Sequence, residues 1–312
     1  MNNTNRSHTA LSWLIFVIIA FTWGSSFILI KKGLVVFSPN EVGALRIALS
    51  FLFLLPFALV RVRKIPLSKL LILLLSGIIG NGIPAFLFAK AQTVIDSSVA
   101  GILNSLTPLL TVLVGTIAFK LRLSWSNVFG VVMGFAGAVG LLVASGGNNL
   151  VLHLEYALYI IAATLLYAVN VNLIKSCLSD VDPVGIVAVS FMLMGFPVLI
   201  YLLFFTGFPA QLVAHPGAVE GLAYITILSI GGSALALILF NRLLKATDPI
   251  FASSVTYLMP LVALMWGVVD GERFYANYFI WIGLILLGII FVSGRKFPLV
   301  PLKCWLVRKI KF

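Results

Sequence analysis

The sequence predicts an all-α integral membrane protein whose ten transmembrane helices form two inverted five-helix repeats. Three observations carry this: a composition too apolar for a soluble globule, a series of span-length apolar segments, and a set of spaced residues that occurs twice in the same order.

Apolar residues make up 61% of the 312-residue chain and charged residues only 10%, with a mean hydropathy of +1.15. A water-soluble fold of this size would lack the polar surface to cover itself. A helix needs about twenty apolar residues to cross a bilayer. Segments of that kind lie at 11–30, 40–60, 67–88, 97–118, 125–144, 154–174, 183–205, 218–240, 249–269 and 276–294. The first follows Arg6 and His8, as in a signal peptide, but its apolar run is too long and it shows no small-residue cleavage site. It reads as the first span, which leaves a leader at 1–10 and a basic tail at 295–312.

The net charge of +12 is unevenly placed. With the N-terminus in the cytosol, sixteen of the 21 Lys and Arg fall on that side, Lys31, Lys32, Lys90 and Arg273 on the other, and Arg46 within a span. Cytosolic loops carry such an excess, so both termini are expected in the cytosol of a cell membrane, the bacterial inner membrane. The lipid bilayer therefore accounts for the basic balance, and no nucleic-acid partner is expected. Cys177 and Cys304 fall on the cytosolic side, where reduced thiols are expected.

Asp96, Ala100 and Pro108 recur as Asp248, Ala252 and Pro260 at an offset of 152, and Trp23, Lys31 and Pro39 as Tyr167, Lys175 and Pro183 at 144. The repeats read as 11–146 and 147–294. With five spans in each, an odd number, they must lie upside down relative to one another. The two offsets place about eight extra residues in the second half, in the Thr206–Gly217 loop, whose Gly207, Pro209, Pro216 and Gly217 mark a turn-rich break. The larger offset also pairs Gly80 with Gly232, Asn81 with Ser233 and Phe88 with Phe240.

Catalytic chemistry has little to work with. The three histidines, His8, His153 and His215, sit near segment ends, and no metalloprotease, nucleophile-elbow or phosphate-loop motif occurs. We expect no catalytic residue, cofactor or metal.

Pro108 and Pro260 are more informative. Proline within a helix frees the carbonyl four positions back and breaks or kinks the axis. Those carbonyls belong to Asn104 and Thr256, with Asn104 near the bilayer centre. Asn104, Thr107 and Thr111 share one helical face, whose partners in the second half include Met259 and Ala263. Trp23 with Ser26 and Tyr167 with Asn170 aim an aromatic and a polar group the same way in each half. Asp96 and Asp248, before Ser97 and Pro249, read as helix caps. Lys31 and Lys175 either snorkel to head groups or attract anions at the two mouths. Arg46 costs at least about 2.5 kcal/mol inside a span, so it needs a partner or a wet path, or else reaches back to the surface about six residues away, and its role stays open.

Together these features resemble the drug/metabolite transporter superfamily, specifically its ten-helix EamA branch. The carriers are F-T-W-G-S-S-F-I-L-I-K-K at 21–32, S-P-N-E-V-G-A-L-R at 38–46, the two Asp…Ala…Pro segments and the Gly-rich fifth span. A Glu-Arg step ends the fourth and ninth spans in that family. Glu272-Arg273 matches it, whereas Lys120 stands where the other Glu would be. The resemblance implies export or exchange of a small-molecule substrate by alternating access, through a cavity lined by spans 1, 3, 4, 6, 8 and 9. It points to Trp23, Ser26, Asn81, Asn104, Thr107, Tyr167, Asn170, Ser233, Thr256 and Tyr257 as substrate-binding.

Such a lining suits amino acids or similar amphipathic metabolites. A lipid flippase and a receptor or scaffold are the alternative classes. No carboxylate lies deep in a span, so proton coupling and uncoupled facilitation both stay open, as does oligomeric state.

Overall fold

The structure, a computed structural model, describes residues 10–119, 125–146, 150–247, 252–273 and 275–293. Every regular element among them is helical. The first half contains α1 (Ala10–Leu34), α2 (Pro39–Val62), α3 (Leu67–Gly77), α4 (Ile83–Ala91), α5 (Ser97–Asn104), α6 (Thr107–Phe119) and α7 (Trp125–Gly146). The second contains α8 (Leu150–Cys177), α9 (Pro183–Phe204), α10 (Phe208–Ala214), α11 (Ala218–Ile227), α12 (Ala236–Ala246), α13 (Met259–Val269) and α14 (Tyr278–Ser293). Among the described residues, seven helical runs are long and apolar enough to cross a membrane. Three shorter apolar stretches, Val132–Leu141, Val255–Val269 and Tyr278–Gly288, lie at the expected fifth, ninth and tenth spans.

Local chemistry sets the helix starts. Ser38 caps α2 through a reciprocal box, with Ser38 N donating to Glu41 Oε2 at 2.8 Å and Glu41 N to Ser38 Oγ at 3.4 Å, and Pro39 follows in the first turn. At the matching start of α9, Asp182 Oδ2 accepts from Gly185 N at 3.0 Å and Pro183 opens the helix. The extra residues of the second half include α10, which lies between α9 and α11.

The third span of each half is interrupted by a π-helical segment, Ile78–Gly82 between α3 and α4 and Leu228–Leu235 between α11 and α12. The fourth spans break at their prolines. α5 ends at Asn104, a turn passes through Ser105 and Leu106, and Pro108 sits in the first turn of α6; in the second half a 3₁₀ segment, Ser254–Tyr257, precedes α13 with Pro260 in its first turn. The Asn104 carbonyl is not left open as expected, because Thr107 Oγ1 donates to it at 2.7 Å.

Packing crosses between the halves. The first helix of each half lies on the third and fourth spans of the other: α1 on α11, α12 and α13, and α8 on α3, α4, α5 and α6. Like elements meet at the flanks, α2 with α9 and α7 with α14. The core therefore belongs to both halves at once, with Phe27, Leu103, Ile160, Met259 and Ile285 in one cluster. Large apolar side chains such as Leu11, Trp13, Phe204 and Ile280 point outward, as lipid requires.

Cys177 is disulfide-bonded, not the reduced thiol expected. Asp248 and Pro249, Lys120, His8, Cys304 and the basic tail fall outside the described residues.

At the α7–α14 flank a Cβ on Gly288 would lie 2.5 Å from the Gly130 carbonyl oxygen and 2.7 Å from Gly134 N. Those contacts are backbone, so the helices would have to separate. We expect Gly288→Val to destabilise the folded protein by about 1–3 kcal/mol, measured by thermal unfolding in detergent; an unchanged melting temperature would refute this close approach.

Candidate functional site: a central cavity and a charged latch

Where the first helices cross the opposite half, the chain leaves a cavity of about 100 Å³. The π-helical segments shape two of its walls. A wider backbone turn inside an α-helix displaces carbonyls from their usual partners, and such turns concentrate at functional sites. Here Trp23 Nε1 donates to the Gly232 carbonyl at 2.9 Å. The side chains of Ser26 and Asn170 lie directly against Gly232 and Gly80, where a Cβ would come within 2.9 and 2.0 Å of them. Ser76 Oγ donates to Asn170 Oδ1 at 2.7 Å, which fixes that amide.

Eight of the ten residues expected at the site line this cavity: Trp23, Ser26, Asn81, Asn104, Thr107, Tyr167, Asn170 and Thr256. The other two lie outside the lining. Ser233 is buried behind the wall and accepts a hydrogen bond from Arg46, and Tyr257 packs against the main core cluster. Thr111 does not line the cavity either; its hydroxyl donates to the Thr107 carbonyl at 2.8 Å.

Sequence reasoning left Arg46 without a role and missed the aromatic lining contributed by Phe27, Phe88 and Phe240. Trp23 packs on Phe240 with ring centroids 5.1 Å apart, and Phe88 stacks on Tyr167 at 6.0 Å. The repeat offset that pairs Phe88 with Phe240 was the available signal. Asn104 Nδ2 faces Met259 Sδ at 3.7 Å, while its Oδ1 is buried with no protein partner, leaving an acceptor in the cavity wall.

A cluster of charged groups joins the two halves at the end of α1. Lys31 Nζ, at the end of α1, lies 2.7 Å from Asp270 Oδ2 and 2.9 Å from Glu272 Oε1, and Lys32 also pairs with Asp270. Glu272 reaches on to α5, accepting from Ser97 N at 2.9 Å, Ser97 Oγ at 2.6 Å and Ser98 N at 3.1 Å. Asp96 stands at the N-cap position, but its side chain makes no cap; Glu272 from the other half does, which corrects the expectation for Asp96. Gly271 explains how the loop returns. Its φ of +82° and the bonds Glu272 N to Gly267 O and Gly271 N to Val268 O form a Schellman turn that aims Glu272 back at α5.

Burial opposes ionisation of Glu272, but the donors Ser97, Ser98 and Lys31 outweigh it and hold its carboxyl below the usual 4.5. Burial likewise opposes Asp270, whose carboxyl Lys31 and Lys32 hold low. Burial and the neighbouring Glu272 push Asp96 up. Lys31 is therefore ion-paired, not free at the surface. At the opposite end, Arg61 pairs with Asp182 at 3.0 Å, Lys69 with Asp180, and Lys175 Nζ donates to the Leu244 carbonyl at 3.2 Å.

Crossed helical halves around an internal polar and aromatic cavity, within a lipid-facing shell, define a multi-pass membrane transporter. The EamA-like transporter family model matches residues 11–143 and again 154–294, and the chain belongs to that family. It is 28% identical over 288 residues to YedA of Escherichia coli K12, described as an uncharacterized inner membrane transporter, covering 89% of this chain and 90% of the relative. An uncharacterized transporter of Archaeoglobus fulgidus is 23% identical over 287 residues, covering 91% and 99%. A solved crystal structure superposes with a TM-score of 0.63 at 18% identity, over 91% of this chain and 97% of the other, and shows the shared fold.

Because the folded-state pKa of Glu272 is depressed, its ionised contacts stabilise the protein above about pH 4.5 and are lost as the pH falls through the lower folded value. Glu272→Gln should cost about 1–3 kcal/mol near neutral pH. The gap between parent and variant should then shrink on acidification below the usual carboxylate range, and thermal unfolding across pH gives the check; a gap that stays constant or widens contradicts the latch.

Proposed function

We propose that the protein carries small organic solutes with both apolar and polar groups, amino acids or similar metabolites, across the bacterial inner membrane by alternating access. The observation that carries this reading is the cavity at the crossing of the halves, lined by aromatic rings and neutral hydrogen-bonding groups. Aromatic faces receive an apolar body, and a few fixed polar groups orient it. Irregular backbone deep in a membrane is tolerated where it lines such a cavity or is buried in protein. In this reading the ten helices span the bilayer as inverted repeats, 11–146 and 147–294.

The inverted arrangement gives each mouth its own gate. The Lys31–Glu272 latch ties α1 to α5 and to the loop after α13, so opening that mouth breaks these contacts. The cations Arg61, Lys69 and Lys245 cluster near Asp180 and Asp182 at the opposite end. By the excess of positive charge in cytosolic loops, that end faces the cytosol with both termini, and the latch faces outward. Export is the direction we favour, because the family resemblance implies it.

Purified protein in proteoliposomes, loaded with a panel of amino acids and other metabolites, tests the proposal with and without an imposed pH gradient. At least one solute should leave faster than from protein-free vesicles, and acceleration by the gradient would add proton coupling. Trp23→Ala and Asn104→Leu should each slow that solute about tenfold, the worth of roughly 1.4 kcal/mol. If nothing moves, or if both variants keep parental rates, the reading fails.

A further inference from the structure

We infer that Arg46 is an anchor for a carboxylate on the solute, so that the cavity selects carboxylate-bearing molecules with an apolar body. The inference rests on reading this cavity as the solute site. Arg46 lies seven residues into α2, about 10 Å along the axis from Pro39, and is the one charged side chain among the described lining residues. Five ion pairs occur among the described residues, and none includes Arg46. No described carboxylate therefore neutralises it.

Its partners are neutral. Nε donates to Ser233 Oγ at 2.6 Å, and the guanidinium faces the Tyr167 hydroxyl. A guanidinium has five N–H donors in a fixed fork, so these contacts leave donors to spare. The mounting is rigid. Ser50 Oγ, one turn further along α2, lies 2.7 Å from the Arg46 carbonyl and 3.0 Å from the Ser229 carbonyl, so its single O–H is shared between them and ties α2 to the π-helical segment that carries Ser233. A charge this deep is costly and persists where it lies on a solute path.

A planar fork with free donors matches the two oxygens of a carboxylate, in short charge-assisted bonds. A phosphate dianion would call for more than one positive group, and the remaining lining is neutral. The rings of Trp23, Phe240, Phe88 and Tyr167 supply the apolar surface for the rest of the molecule.

Binding, rather than transport, is the direct test. Intrinsic fluorescence or calorimetry on the full-length protein in detergent would compare L-phenylalanine with its amide, L-leucine with its amide, and 3-phenylpropionate with 3-phenylpropanol, with inorganic phosphate as competitor. Each acid that binds should do so about tenfold more tightly than the counterpart that lacks its carboxylate. Arg46→Gln should erase that preference, and Arg46→Lys, which keeps the charge without the fork, should weaken acid binding several-fold.

Gel filtration and the melting temperature check that both variants fold; if Arg46→Gln does not, the parental preference and Arg46→Lys decide. Equal binding of acids and of the counterparts that lack the carboxylate overturns the inference. So do failure of every acid to bind, a preference that survives in Arg46→Gln, parental acid affinity in Arg46→Lys, and displacement of the acids by equal phosphate. Acids that bind but do not cross vesicles leave the anchor standing and remove the transport reading. Solutes that cross while no acid binds do the reverse.

Discussion

A bilayer offers no water to a broken helix, so each interruption must find its partners inside the protein. This constraint organises the molecule. The third span of each half widens into a π-helical segment, and the answering group comes from the first helix of the other half: Trp23 donates to the Gly232 carbonyl, Ser26 abuts Gly232, and Asn170 abuts Gly80. Each half thus completes the weakest part of its partner. The cavity lies where these contacts converge, because only there is backbone irregular enough to leave space and polar groups exposed to it.

Symmetry of the frame does not extend to its chemistry. At one mouth a carboxylate from the second half caps a helix of the first, and a lysine from α1 pairs with the same carboxylate. At the other end the related lysine, Lys175, donates to backbone carbonyls at the end of α12. Inside the cavity Asn104 faces Met259, a polar residue opposite a soft apolar one. In the proposed reading a solute would therefore meet a different surface on each side of the cavity.

Helix positions and the doubling were legible in the sequence because both rest on local signals: apolar runs of span length, Ser-Pro and Asp-Pro starts, and fixed spacings between Asp, Ala and Pro. The cavity lining was legible in large part because matched positions in the two halves converge by symmetry. What stayed hidden depends on pairings distant along the chain. Asp96 satisfies every local rule for a helix cap, yet Glu272, 175 residues beyond Ser97, takes its place because the Schellman turn at Gly271 points it there. The π-helical segments were equally silent, since Gly80 and Gly232 are compatible with a plain α-helix. Arg46 stood out as a charge in a span, but its lack of a carboxylate partner among the described residues is a fact about neighbours from α8 and the segment after α11.

The energetics of Arg46 connect the cavity to the gates. A guanidinium held by a serine hydroxyl and a tyrosine is tolerable while water reaches it, because the effective dielectric stays high and water satisfies its spare donors. Sealing both mouths removes that water and leaves the full cost of an unpaired charge. A carboxylate in the cavity offsets this cost in the sealed state, where the lower dielectric strengthens the pair. Under the proposed alternating access, occupancy would then favour the closed intermediate and an empty cavity would resist it. An ion pair completed only by the cargo can in this way bias the exchange of mouths toward the loaded carrier, with no mobile carboxylate in the spans.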